Sequence, residues 1–217
     1  MKPFFVVTRY KENIEWVKNY TDQYIIYNRN EPIHAEHYYN TENVGGNQKD
    51  ICHFIYNNYD NLPDIMVFVQ GYAFDHCKKE IFDKLIKNKE FTPLEYYGNI
   101  PSNGWENRTS DGGFLEINND WYIDILNNQH NQLCKYGSFD DIMNHYFENY
   151  FHLDWIRFSP GSQFLITSKD ATIYPKSFWK YLMNDMISVH CTEGYIIERM
   201  MNYIFMGTYT LRKEFYE

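Results

Sequence analysis

Three sets of polar residues in this chain have the types and spacing to do chemistry. The first is Thr8-Arg-Tyr-Lys-Glu12, directly after the apolar run Phe4 to Val7. An acidic residue just past a first strand can accept hydrogen bonds from a nucleobase or ribose. Arg9, with its bidentate fork, and Lys11 can face a diphosphate. The competing reading is a helix start with Glu12 in its first turn, where the dipole favours a carboxylate. The second set is Gln70-Gly-Tyr-Ala-Phe-Asp-His76, after the unbroken apolar run Ile65 to Val69. Asp75 suits Mg²⁺ or Mn²⁺, and His76 is tolerated by Mn²⁺. Asp75 as the cap of a helix beginning near His76 is the alternative. The third set is Glu193 and Glu198, five apart on the last predicted helix and so aimed in different directions. Glu198 lies among Ile197, Met200 and Met201. There a carboxylate either has a raised pKa and serves as a base, or pairs with Arg199 or Arg157 as a structural bridge. His190-Cys191 is a further pair, more often packing than chemistry.

Several common chemistries lack their signatures. There is no Gly-x-x-x-x-Gly-Lys-Ser/Thr phosphate loop, no Gly-x-Gly-x-x-Gly dinucleotide turn and no His-Glu-x-x-His. Pro160-Gly-Ser-Gln163 lacks the second glycine of a nucleophile elbow. No strict Asp-x-Asp occurs.

The elements that must position these groups follow from periodicity. Phe4 to Val7, Tyr24 to Tyr27, Ile65 to Val69 and Gln163 to Thr167 read as strands. Helices are expected over 12–20, 48–59 (Ile51, Phe54, Ile55 and Tyr59 on one face), 76–87, and from Ser138 to about Tyr150. Two more begin at Pro175 and at Thr192. Residues 31–47 read as polar loop and 92–136 as irregular. Within the latter, 103–113 is either a binding loop or disordered. Strand alternating with helix argues for a single α/β domain with a mostly parallel sheet. Ligands of such sheets sit outside the carboxyl ends of the strands. The second set of residues lies at such an end; a strand-ending turn without chemistry is the alternative.

The composition narrows the partners. At 217 residues with a net charge of −9 and scattered basic residues, a nucleic-acid partner is not expected. Aromatics reach 19%, with 21 Tyr and 16 Phe. Such residues suit clefts that stack against sugars or bases, although a bias toward Asn, Tyr, Ile and Lys accounts for them equally well. Cys52, Cys77, Cys134 and Cys191 are too far apart for a Cys-x-x-Cys site and fit reduced thiols; two distant disulfides are the alternative. No run approaches the ~20 apolar residues of a membrane helix. Met1 to Arg9 is too short in apolar length for a signal peptide. The expectation is a cytoplasmic protein without membrane insertion.

Taken in order, Arg9-Tyr-Lys-Glu12, Asn43-Val-Gly45, Phe68-Val-Gln-Gly71 with Phe74-Asp-His76, Gly161-Ser-Gln-Phe164 and Glu198-Arg199 through Ile204-Phe205 resemble one family. It is a domain-of-unknown-function family of fungal, bacterial and viral proteins, and it is distantly similar to GT-A-fold glycosyltransferases. The resemblance spans nearly the whole chain. It implies a GT-A-like fold and transfer of a sugar from a nucleotide diphosphate to a glycan or other hydroxyl acceptor, with Mn²⁺ or Mg²⁺ as the ion and no organic cofactor. Arg9, Tyr10, Glu12, Asn43, Gly45, Gln70 and Gly71 would face the donor, with Gln70 in the place of the usual Asp-x-Asp. Gly161, Ser162 and Gln163 would line the acceptor side. Asp75 and His76 would meet the metal, and Glu198 or Glu193 would act as base. Asn13, Gly46-Asn47 and Met201 stand where the family tends to have Asp, Arg-Glu and Trp. A non-catalytic nucleotide-sugar or glycan-binding protein on the same fold is the alternative function. A structural interaction protein, which no such ligand would stabilise, is a third.

Overall fold

The computed structural model of the chain describes residues 2–95, 114–130, 134–189 and 191–217. The 103–113 segment and His190 lie outside them. The strands are β1 (Phe4–Arg9), β2 (Tyr24–Asn28), β3 (Tyr38–Asn40), β4 (Ile65–Gln70), β5 (Thr92–Pro93), β6 (Phe114–Ile117), β7 (Trp155–Phe158) and β8 (Phe164–Thr167). The helices are α1 (Gly46–Asn58), α2 (Lys79–Leu85), α3 (Trp121–His130), α4 (Phe139–Tyr146), α5 (Ser168–Ala171), α6 (Lys176–Asp185) and α7 (Thr192–Phe205).

Six strands form one sheet in the order β3-β2-β1-β4-β8-β5. β1 runs parallel to β2 and to β4, and β2 parallel to β3; β8 is antiparallel to both its neighbours. The architecture is therefore a mixed α/β single domain on a mostly parallel sheet. Alternation along each strand sorts the side chains into two layers. Val6, Met66, Phe68, Phe164 and Ile166 face the larger core, against α1, α4, α6 and α7. Phe5, Val7, Val67, Val69 and Leu165 face a smaller one, covered by a 3-10 turn at 15–19 and by α2. A separate antiparallel pair, β6 with β7, lies against α7.

Helix ends explain most boundary differences from the sequence reading. Gly45 and Gly46 take positive φ (73° and 61°), so α1 starts at Gly46, two residues before the apolar periodicity. The predicted cap at Thr192 falls on Cys191 instead. The Thr192 hydroxyl donates to Asn127 Oδ1 (3.0 Å). Asp75 does not cap α2: it ends a 3-10 turn over 73–75, and α2 begins only at Lys79. Ser138 does cap α4, accepting from Asp141 N–H at 2.9 Å. Strand β3 lies in the stretch read as polar loop. Tyr38–Asn40 carries no apolar alternation and is held by pairing with β2.

Candidate functional site

β1 and β4 end side by side, with Thr8 in register with Gln70, so the segments leaving them share one edge of the sheet. A cleft of about 530 Å³ opens there. Its walls come from the ends of β1 and β4, the turn after β2, the N-terminus of α1, the turn between β7 and β8, and α7 with the segment entering it. Glu12 and Gln70, both expected on the donor side, line it together.

Glu198 is the carboxylate set deepest in this cleft. α7 is buried on nearly every side, with Ile196, Ile197, Met200, Met201 and Ile204 fully buried. The helix therefore carries Glu198 inward to 8% exposure. Gly161 N–H donates to its Oε1 at 2.7 Å, and Gln48 Nε2 approaches the same oxygen at 3.4 Å. The adjacent Arg199 is committed elsewhere. It donates twice to Glu116 Oε2, at 2.7 and 3.1 Å, and lies between the rings of Tyr122 and Phe158. Only a long 3.6 Å contact links it to Glu198 Oε2. Burial therefore outweighs the Arg199 charge and the Gly161 hydrogen bond, and the Glu198 carboxyl is pushed up to about 7. A group with that affinity exchanges a proton near neutral pH.

The turn over Glu198 is built by backbone geometry. Gly161 has φ 76°, and a Cβ there would lie 2.7 Å from His76 Cδ2 and 3.1 Å from Gln70 Nε2. Only glycine lets the turn, His76 and Gln70 meet. The Asn47 amide donates to Gly161 O, tying α1 to the same turn. Gln163 is fully buried behind it, donating to Ala73 O at 3.1 Å and accepting from Gln70 N–H at 3.3 Å. It braces the end of β4 and does not line the cleft. Ser162 is likewise buried beneath, so Gly161 alone of the three acceptor-side residues reaches the cleft surface.

On the opposite wall Glu12 Oε2 accepts from the N–H groups of Tyr10 and Lys11, at 2.7 and 3.0 Å. It rests on Gly71, where an added Cβ would sit 2.8 Å from that oxygen. One Glu12 oxygen thus shapes the turn that puts Tyr10 on the rim. Arg9 does not line the cleft: it donates to Asn28 Oδ1 (2.6 Å) and Glu12 O (2.9 Å). Asn43 lines it; Gly45 and Gly71 act through backbone shape behind it.

Sequence reasoning missed Arg29 and Asp50. Arg29 lines the cleft, and its Nε and Nη2 donate to the two oxygens of Asp50, both at 2.8 Å. Thr8 adds a hydroxyl to Asp50 at 2.8 Å, and Arg29 also donates to Gly46 O. Asp50 offered a signal, being a charged residue one position before Ile51 on an amphipathic helix. Arg29, in a turn after β2, offered none.

Glu193 is not in the cleft. Its carboxylate accepts from Lys135 N–H at 2.6 Å and from the Cys191 thiol at 3.2 Å. The divergence expected from the five-residue spacing separates the two glutamates. Cys191 lines the cleft, but burial pushes its thiol up, which suppresses a thiolate nucleophile. All four cysteines are free. Asp75 and His76 both line the cleft, Asp75 exposed and His76 half-buried. The Cδ2–Nε2 edge of His76 faces Gly161. Burial also lowers the imidazole's proton affinity, against the pull of Asp75. Among the described residues no group of three or more His, Cys, Asp or Glu is placed to hold a metal ion, and no helix is long and apolar enough to cross a membrane.

An α/β domain with a polar cleft at the carboxyl ends of its parallel strands defines a class that hosts many functions. Within that class, residues 5–216 match the family described as "Protein of unknown function (DUF3431)", and the chain belongs to it. No curated protein and no solved structure matches the chain.

Proposed function

We propose that the chain is a GT-A-like glycosyltransferase that moves a sugar from a nucleotide diphosphate to a hydroxyl acceptor. The observation that carries this reading is Glu198. It is a buried carboxylate at the floor of a strand-end cleft, held by Gly161 N–H and poised to exchange a proton near pH 7. A general base works best when its proton affinity is near the operating pH. In the transfer, the acceptor oxygen bonds to the anomeric carbon and its proton passes to Glu198. The bond from the anomeric carbon to the diphosphate breaks, and its electron pair leaves with the diphosphate oxygen.

The opposite wall supports the donor. The start of α1 presents Gly46 and Asn47 to the cleft with no acidic residue in the first turn, and Arg29 stands beside it. A helix N-terminus favours an anionic diphosphate, while the Asp50 carboxylate already offsets the Arg29 charge. Asp75 would be the protein donor for a divalent ion. An ion shared with substrate phosphates needs only one or two protein ligands, and the exposed Asp75 fits that use. Such an ion would neutralise charge on the leaving diphosphate.

A thermal-shift screen of nucleotide sugars, with Mn²⁺ and with chelator, tests the reading. A donor at about 100 times its Kd adds about 2.7 kcal/mol, which for a chain of this size raises Tm by roughly 5–10 °C. Donor hydrolysis or transfer should accompany the shift. A shift without turnover moves the chain to the non-catalytic alternative. The absence of both for every nucleotide sugar overturns the reading.

A further inference from the structure

The two walls of the cleft expose different chemistry. The strand-end and α1 wall carries formal charges in Glu12, Arg29 and Asp75. On the α7 wall, the other described lining residues are Val189, Cys191, Gly194 and Tyr195, none bearing a formal charge, and they surround Glu198. Tyr195 lies three residues before Glu198 on α7, so the two share a helix face with Cβ atoms about 5–6 Å apart. The next two residues, Ile196 and Ile197, are fully buried, yet Tyr195 is 46% exposed and Val189 is 52% exposed. An exposed ring and an exposed valine therefore flank the one carboxylate of that wall.

We propose that this wall is an acceptor subsite for an uncharged sugar, whose apolar C–H face rests on Tyr195 while a ring hydroxyl reaches Glu198. The assignment deepens the transferase reading and rests on it. A phosphorylated or carboxylated acceptor would meet no cation among the described residues that line this wall and would be repelled by Glu198. A cationic acceptor would hold Glu198 ionised and lower its affinity for the proton it must take. A neutral pyranose satisfies both conditions. It offers an apolar face to an amphipathic ring and hydroxyls to the few polar groups that fix orientation.

Saturation-transfer NMR on the purified chain tests this, using neutral methyl glycosides of common hexoses and the 6-phosphates of the same sugars. The wild type should bind at least one neutral glycoside at millimolar concentration and bind its phosphate more weakly. Tyr195→Ala should weaken that glycoside about tenfold, equivalent to about 1.4 kcal/mol. Tyr195→Phe should retain it, as should Phe151→Ala, which removes an exposed ring outside the cleft. The subsite is overturned if no glycoside binds, if phosphates bind as well as neutral sugars, or if Tyr195→Ala leaves binding unchanged. Nucleotide sugars that bind and are hydrolysed while no glycoside binds would leave the transferase reading standing without the subsite. Glycoside binding that needs Tyr195, with no nucleotide sugar bound or turned over, would keep the subsite and remove transfer.

Discussion

Asp50 and Glu198 are both carboxylates buried beside the same cleft, and each has an arginine nearby. Asp50 is matched: Arg29 donates to both its oxygens, and Thr8 completes the set. Glu198 is not. Its neighbour Arg199 is turned mainly to Glu116, and that charge at 3.6 Å with the Gly161 N–H does not offset its burial. A matched buried carboxylate holds structure in place. One buried with too few partners keeps a high proton affinity and is available for chemistry.

The largest expected effect tests that difference at its functional end. Glu198→Gln keeps an acceptor for Gly161 N–H and removes the titrating group. Sugar transfer should fall by roughly 10²–10⁴-fold. Donor affinity and Tm at neutral pH should not fall. Steady-state rates and a thermal melt on this one variant suffice. A stable variant with wild-type turnover removes Glu198 from the mechanism, and a strongly destabilised one makes it a structural group like Asp50.

The converse substitution acts on the matched pair. Arg29→Met leaves the Asp50 carboxylate buried without its fork and should cost roughly 3–5 kcal/mol, lowering Tm by roughly 10 °C. Adding Asp50→Leu should recover much of the loss, because an apolar pair can replace a buried ion pair at little cost. Denaturant titration of the single and double variants measures both. A loss below about 1 kcal/mol in the single variant would mean that Asp50 is no better matched than Glu198.

The contrast also predicts a pH dependence. The Glu198 carboxyl titrates at about 7 in the fold, against 4.5 for the ordinary group. The unfolded chain therefore releases that proton first as pH rises. The stability this group contributes is fully present below about pH 4.5 and is lost as pH climbs through about 7. The shift corresponds to at most about 3 kcal/mol. Glu198→Gln should flatten the curve by that amount. His53, His76 and His145, whose proton affinities burial lowers, titrate in both proteins and cancel in the difference. Parallel curves for the two proteins between about pH 5 and pH 8 would refute the raised affinity.

The same contrast explains what could be read in advance. The core strands and most helices were legible because burial on both faces of a strand, or on one face of a helix, leaves a period in the sequence: Ile65 to Val69, or Phe178, Leu182 and Met186. Glu198 was legible for the same reason, as the one acidic residue within the apolar run of α7. That Arg199 turns mainly to Glu116 was not, because Glu116 lies 83 positions away on β6. The Asp50–Arg29 pair was hidden likewise, since its arginine comes from a turn with no periodicity. β6 and β7 are short and partly exposed and left too weak a pattern. The roles of Gly71 and Gly161 became visible only when Glu12 and His76 were found against them.

Gly161 provides the smallest of these tests and the finest. Its φ of 76° is strained for any residue with a Cβ, and that atom would lie 2.7 Å from His76 Cδ2. Gly161→Ala should cost roughly 1–3 kcal/mol. The loss would follow even if the turn were purely structural, so stability alone does not decide its role. The Gly161 N–H is also the shortest hydrogen bond to Glu198, at 2.7 Å, and it favours the ionised form. Any rotation of the turn that lengthens it must raise the carboxyl's proton affinity. In the variant, the acidic limb of activity, which rises as Glu198 ionises, should move to higher pH. A control substitution, Gly207→Ala, is strained by a φ of 60° but would meet only the Ile173 side chain, away from Glu198's hydrogen bonds. It should cost stability without moving that limb. If both variants shift the pH–rate profile equally, the turn does not act on Glu198 through its N–H. If only Gly161→Ala does, the backbone of this turn sets the working range of the base.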